Sequence, residues 1–508
     1  MKVTVKVLWS FLLGVILLTA ILAYTPTLAQ LSNYNPQGLK ATTLEEVLAL
    51  PDEEVDLATA ILILCKRWDA SVDVVACLEE IEMMALELEI GIILEDNPKK
   101  IVSLINHYLF EKKNYSSVLP SDPDYIKLEN SALPWVIENK KGDCLGLSLL
   151  YLALTERLRL PFYGIAVPTH VFVRYDDGKK KINIETTGKG YEYKDRYYEK
   201  EFMLHPTYKN YNFYLRNLSK REVIGLFLSD LGVVYGLKGM YNEAIAELKK
   251  AIMINPNNAE AHSNLGVVYI IIGMHDEAIA EYKKGIEINP NDAKAHYNLG
   301  AAYHEKGMHN KAITELKKAI EINPNLAEAH DGLGLAYLNK GMYDEAIAEW
   351  KKAIEINPNL AEAHYSLGSV YVMIGMYDEA IAEYKKAIEI NPNLAEAHNN
   401  LGGAYINKGM YDEAIAEYKK GIEINPDLAE AHYGLSLAYL NKGMYDEAIA
   451  ECKKAIEINP NLAEAHNNLA IVYYFKGEYS LAIKHCDRAI ELGFPVDPQF
   501  LEALKPYR

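Results

Sequence analysis

Seven prolines set the frame of this chain: Pro256, Pro290, Pro324, Pro358, Pro392, Pro426 and Pro460 each lie 34 residues apart. A fixed period of that size means a stack of small units, each completed by the apolar face of the next. The stretch Ala327 to Leu360, AEAHDGLGLAYLNKGMYDEAIAEWKKAIEINPNL, is one such unit, and it predicts two helices. Ala329, Leu333, Ala336 and Tyr337 recur at three- and four-residue spacing and paint one helical face. Gly341 suits the left-handed cap that ends this helix. Asp344 and Glu345 open the second helix, Lys351 and Lys352 sit further along it in accord with the helix dipole, and Pro358 stops it. Gly334, Ala346 and Ala353 carry minimal side chains and predict close approach of neighbouring helices.

With small residues at positions 8, 20 and 27, tyrosine at 11 and proline at 32, this unit resembles the tetratricopeptide repeat. Eight units run over 225–496. Position 8 reads Gly232, Gly266, Gly300, Gly334, Gly368, Gly402, Ser436 and Ala470, and position 11 is tyrosine from Tyr235 to Tyr473. The last unit has Phe494 where proline is expected, and the first is less regular. The resemblance implies an all-α right-handed superhelix with the first helix of each pair lining a concave groove. Tyr297, Asn339, Tyr365, Asn399, Asn407, Tyr433 and Asn441 are then groove residues. The expected groove positions lack the clustered lysine and arginine of repeat proteins that clamp a terminal carboxylate, so the expected partner is a protein or extended peptide held by tyrosine and asparagine.

His262, His296, His330, His364, His398, His432 and His466 recur at position 4. Equivalent helices lie about 8–10 Å apart or more, while zinc needs all its ligands within about 2.0–2.1 Å, so a structural stripe is expected and no metal. Protonation in mild acid is expected to loosen it.

The 508 residues leave room for a second domain ahead of the array. Lys2 and Lys6 precede the apolar run Val7 to Ala23, and Thr27 and Ala29 follow, the layout of a secretory signal over 1–29. The run 7–23 is also close to spanning length, so membrane attachment through an uncleaved anchor is the alternative. Either way the bulk is expected to be extracytoplasmic, secreted or anchored. A net charge of -18 argues against a nucleic-acid partner. Five cysteines imply at least one free thiol in an exported chain, with Cys144 the candidate. Cys65 and Cys77 lie on successive predicted helices and could pair. Cys452 and Cys486 occupy position 24 of their repeats and read as packing residues.

From Leu39 to Glu111 the chain reads as a helical bundle, with Thr43 and Glu46 as a capping box and Pro51 dividing the first two helices. Val72, Val75, Leu78, Ile81, Ala85 and Leu88 mark a third helix, and Ile101, Leu104, Ile105 and Tyr108 a fourth. Residues 112–128 read as a loop. Gly142 and Asp143 then precede an almost wholly apolar helix with Cys144 at its start, where the helix dipole favours thiolate. A small buried packing residue is the plainer reading of Cys144. Trp135 reads as core, or as a wall of the cleft.

Tyr163 to Val167, Val171 to Tyr175 and Lys181 to Thr186 are strand-like, and Asp177-Gly178 is a two-residue turn signal. That turn would set Asp176 opposite Lys179 and His170 opposite Glu185, on one face. A carboxylate beside an imidazole orients it, and with Cys144 this makes a set of nucleophile, base and orienter.

GDCLGLSLLYLALTERLRLPFYG, VPTHVFVRYDDG and INIETT together resemble the core of the transglutaminase-like superfamily, in the branch joined to tetratricopeptide repeats, over 39–215. The resemblance implies an α+β papain-like domain, followed here by the all-α tetratricopeptide repeat superhelix, with residues 497–508 as a C-terminal tail. It also implies catalytic roles for Cys144, His170 and Glu185, glutamate standing where aspartate is usual. The expected function is an exported protein whose repeats bind a polypeptide and whose first domain performs cysteine-dependent acyl transfer or amide hydrolysis without a cofactor. The alternative is an interaction scaffold with an inert first domain.

Overall fold

A computed structural model describes residues 37–93, 95–118, 127–202 and 214–508. The expected leader over 1–29, the apolar run 7–23 and the middle of the 112–128 loop lie outside the described residues. No described helix is long and apolar enough to cross a membrane. The chain divides into two units, Met1–Asn291 and Asp292–Arg508.

The first unit opens with helix α1 (Leu44–Ala49), whose start carries the expected Thr43–Glu46 capping box. A 3-10 turn after Pro51 leads to α2 (Leu57–Trp68), capped by Asp56. Helices α3 (Val74–Ile92) and α4 (Pro98–Asn106) follow, the latter running on as a π turn, His107–Lys112. The third-helix face is narrower than its pattern suggested. Ile81, Ala85 and Leu88 are buried, but Val75 is exposed in the first turn and Val72 precedes the helix. Leu104 is likewise more exposed than its neighbours Ile101 and Ile105.

Ser116–Ser117 (β1) pairs in parallel with Lys141–Gly142 (β2), which sits between α5 (Leu133–Asn139) and α6 (Cys144–Arg157). Helix α6 is buried along nearly its whole length, as its continuous apolar sequence requires. It packs on an antiparallel sheet of order β3 (Phe162–Val167), β4 (His170–Asp176), β5 (Lys181–Glu185) and β6 (Tyr191–Tyr193). Ile165, Val167, Phe172 and Tyr198 form a core on the sheet, with Tyr198 supplied by α7 (Asp195–Glu201).

Helix α8 (Lys220–Leu237) begins the first repeat, with a Ser219–Glu222 capping box ahead of the expected boundary at Gly225. It is laid against the first domain. Trp68 of α2 meets Tyr235 edge-on at 5.2 Å, and Lys238 stands 3.5 Å above the Trp68 ring. Lys220 bonds the Val55 carbonyl at 2.6 Å and pairs with Glu156 of α6 at 2.5 Å. The second helix of this repeat, Tyr241–Ile254, and the pair Ala259–Ile271 and His275–Ile288 complete the unit.

The second unit holds six further helix pairs, from Ala293–Glu305 to Tyr479–Glu491. Gly341 ends its helix at φ 71°, in the left-handed region that favours glycine. Gly334 is small because a Cβ there would lie 2.8 Å from the Trp350 ring of the partner helix. The expected tail, 497–508, contains a short helix, Pro498–Leu504, that buries Leu504. All five cysteines are free thiols, and Cys452 and Cys486 are buried at their packing positions.

Candidate functional site

The start of α6 is built around Asp143. Its carboxylate accepts from the Gly146 amide at 2.7 Å and caps the helix, while its own amide donates to the Asn130 carbonyl at 3.0 Å. Cys144 is therefore the first helical residue. Its amide, one of the orphan donors of a helix start, has no partner among the described residues. The turn is pressed so tightly on the Asn130–Ser131 segment that a Cβ at Gly146 would stand 2.2 Å from the Asn130 oxygen.

His170 opens β4 immediately after a two-residue turn, in which Val167 pairs with His170 and Thr169 takes φ 60°. A β-branched residue in that region is strained. Its amide is held by the Glu260 carboxylate from the second repeat.

His170 and Glu185 do share a face, although the register differs from the expected one. Asp176 pairs with Lys181, so the connection has four residues, Asp177 to Lys180, with Asp177 Oδ1 accepting from the Lys179 and Lys180 amides at 2.8 and 2.7 Å. The shift is two residues, one full period of a strand, and so returns every side chain to the same face. His170 Nε2 meets Glu185 Oε2 at 2.8 Å as a diagonal pair. Glu185 also accepts from the Tyr198 hydroxyl at 3.2 Å and from the Thr187 hydroxyl at 2.5 Å. Phe202 stacks on the imidazole at 5.4 Å. The sequence reading passed over Thr187, Tyr198 and Phe202; only the run of aromatics after Tyr191 hinted at them.

Burial works to raise the Glu185 carboxyl, but the His170 hydrogen bond and charge, with the Thr187 contacts, bring it below the usual range. Cys144 goes the other way from the sequence expectation. Burial of its sulfur pushes the thiol well up, and the charges of Asp143, Asp230 and Glu185 push in the same direction. The Val171 amide opposes them. At rest this group is a thiol, and no hydrogen bond joins it to His170 among the described residues. Trp135 lies with Trp68, Cys65 and Cys77 at a cavity of about 560 Å³.

Among the groove residues, Tyr297, Tyr365, Asn399 and Tyr433 are half-buried, whereas Asn339, Asn407 and Asn441 are exposed. The three exposed asparagines donate to carbonyls four residues back, Leu335, Gly403 and Leu437, at 3.0, 3.0 and 2.8 Å. Their amide groups thus serve their own helices, and that of Asn339 also stands 3.4 Å from His304 Nε2 of the preceding repeat. Tyr365 accepts from Asn400 at 3.0 Å, and Asn399 donates to Asn400 at 3.1 Å. The hydroxyls of Tyr297 and Tyr433 have no hydrogen bond among the described residues, and burial raises both. Asp331 accepts from the Trp350 indole at 2.9 Å, and burial raises its carboxyl to about 6.

The family model of the transglutaminase-like superfamily matches residues 75–228, the span that holds Cys144, His170 and Glu185. TPR repeat models match seven successive segments over 232–477, and a tetratricopeptide repeat model matches 463–492. The chain joins a transglutaminase-like core to tetratricopeptide repeats. The repeats make the second part of the chain a protein interaction scaffold. Two curated relatives, each called UPF0162 protein and coming from Xylella fastidiosa strains Temecula1 and 9a5c, are 33% identical over 79 residues. That match spans 15% of this chain and 27% of the relatives' own length. Similar solved structures include YrrB, described as a TPR protein with an unusual peptide-binding site, 30% identical over 36% of this chain and 95% of its own, at a TM-score of 0.33. A thermophilic TPR protein from Thermus thermophilus is 27% identical over 36% of this chain and 99% of its own, at a TM-score of 0.31.

Proposed function

We propose that the transglutaminase-like domain performs cysteine-dependent acyl transfer or amide hydrolysis on a polypeptide that the repeats recruit. The observation that carries the reading is the 2.8 Å bond between His170 Nε2 and Glu185, which leaves the other ring nitrogen to serve the thiol of Cys144. Cys144 Sγ attacks an amide carbonyl while its proton passes to His170. The free Cys144 amide donates to the oxyanion. His170 then returns the proton to the departing amine, leaving a thioester. Water or a second amine then attacks the thioester carbonyl and gives its proton to His170; the C–S bond breaks, and His170 passes that proton to the departing Cys144 sulfur. The raised thiol is consistent with a resting site whose nucleophile forms only as His170 takes the proton.

The layout of Lys2, Lys6, the run 7–23 and Ala29 supports an extracytoplasmic protein, secreted or held to a membrane by its N-terminus. Fractionation of cells making the full chain tests this, and recovery of the unprocessed protein with the cytosol overturns it. The net charge of -18 favours a protein partner over a nucleic acid. The second reading, a scaffold with an inert first domain, has its own support in the upward push on the Cys144 thiol.

Alkylation of Cys144 against pH separates the two readings, measured in the native protein and in His170→Ala. The catalytic reading expects alkylation of the native protein to fall several-fold in the variant. A slow reaction indifferent to His170 leaves the scaffold.

A further inference from the structure

Asp230 belongs to the first repeat, on α8, yet its carboxyl end is buried beside the start of the Cys144 helix. As whole residues Asp143 and Asp230 keep some exposure; their carboxyl ends are the parts turned inward, and burial raises both. Ser131, only 3% exposed, lies between them. Its hydroxyl donates to Asp143 Oδ2 and stands 3.5 Å from Asp230 Oδ2. A serine hydroxyl has one proton to give. Once that proton is on the Asp143 bond, the Ser131 oxygen is an acceptor, and Asp230 can fill it only as a protonated acid. The bonds then run in one direction, from the Asp230 acid to Ser131, to the Asp143 carboxylate that caps α6. The pair carries one buried charge instead of two. Glu260, from the second repeat, is the other acid facing Asp230, and Asp143, Asp230 and Glu185 are the acids acting on Cys144.

We propose that Asp230 is a positioning residue of the candidate site, protonated at neutral pH and joined through Ser131 to Asp143, so that the first repeat sets the reactivity of Cys144. This rests on the reading of Cys144 as the reactive group. As pH rises Asp230 ionises, a second carboxylate charge arrives beside the sulfur, and thiolate formation is opposed.

The test is alkylation of Cys144 by iodoacetamide across pH in the full chain, read by peptide mass spectrometry to separate it from the other cysteines. The native protein is compared with Asp230→Asn, whose amide can still donate to Ser131 but never ionises. The two rates are expected to coincide in mild acid and to diverge several-fold in alkali, the variant being faster. Superimposed profiles, or a constant offset at every pH, overturn the proposal. Should the variant fail to fold, carbon-13 spectra of native protein labelled at its aspartate carboxyls decide. One carboxyl still protonated at neutral pH and shifted by alkylation of Cys144 supports the proposal, and full ionisation of every aspartate overturns it. The two readings fail separately: loss of the His170 effect with the Asp230 effect intact removes the catalytic reading alone.

Discussion

Gly146 shows how one missing side chain holds the site. Helix α6 starts hard against the Asn130 carbonyl, with 2.2 Å between that oxygen and where a Cβ would be. Gly146→Ala must push the helix start away, breaking the Asp143 cap and moving Cys144. The expected cost is ~3 kcal/mol or more, in the range of overpacked cores and lost caps together. Gly91 is the control. It is also helical, near the end of α3, but a Cβ there meets nothing within 4 Å. Gly91→Ala is expected to be neutral or to gain about 0.5–1 kcal/mol. Thermal melts of both variants check the contrast, and equal effects would refute the close approach at Gly146. At this scale Cys144, His170 and Glu185 were legible because each is chemically conspicuous and sits at an element end. Ser131 and Asp230 were not, because nothing in sequence order brings residues so far apart to one hydroxyl.

Elements rather than residues explain why the hairpin could be read wrongly in register and rightly in face. The Asp177-Gly178 signal is a turn, but Asp177 uses its carboxylate to gather the Lys179 and Lys180 amides, which lengthens the connection to four residues. Strand periodicity absorbs a two-residue slip, whereas a slip of one would have parted His170 from Glu185. The helices before the sheet are fixed by a different device. Arg157, at the end of α6, is buried and reaches Asp56 at the start of α2 at 2.5 Å and Glu82 of α3 at 2.5 Å. Burial would raise the Asp56 carboxyl, but Arg157 and the Thr59 hydrogen bonds hold it below the usual range. Asp56→Asn keeps a helix cap and removes the charge. A buried ion stripped of its partner costs ~3–5 kcal/mol. The first unfolding transition in urea is therefore expected to shift down by about that much, with m unchanged. A midpoint that stays in place would mean that the other partners of Arg157, Glu82 and Glu156 among them, satisfy it.

At the scale of the whole molecule, the helix pairs of the second unit form a stack whose stability is a sum of repeats and their neighbours, so its weakest end decides where it opens. From the second repeat to the seventh, the stripe histidine holds its Nδ1 at 2.5 to 2.6 Å from a glutamate of the paired helix, His262 with Glu281 through His432 with Glu451. In His262, His330, His364 and His432 the other nitrogen faces a proline carbonyl at 3.2 to 3.3 Å. Both partners there are acceptors. The last repeat breaks the rule with His485 in the glutamate's place, 3.1 Å from His466. His466 Nε2 donates to the Pro460 carbonyl, so its Nδ1 can accept from a neutral His485. Burial, then the charges of His466, Lys484 and Lys453, hold His485 down to about 4 from an ordinary 6.5. A histidine lowered on folding stabilises only while the unfolded chain is also neutral. Its contribution is complete above about pH 6.5 and is lost as pH falls toward about 4. Amide exchange over Tyr479–Glu491 should accelerate between neutral pH and pH about 5, once corrected for the intrinsic pH dependence, while Tyr445–Ile458 holds. His485→Glu restores the pattern of the other repeats, should abolish that acceleration and should add about 1 kcal/mol to the end unit. If the native helix and the variant exchange alike in mild acid, the His466–His485 contact is not what limits the end of the stack.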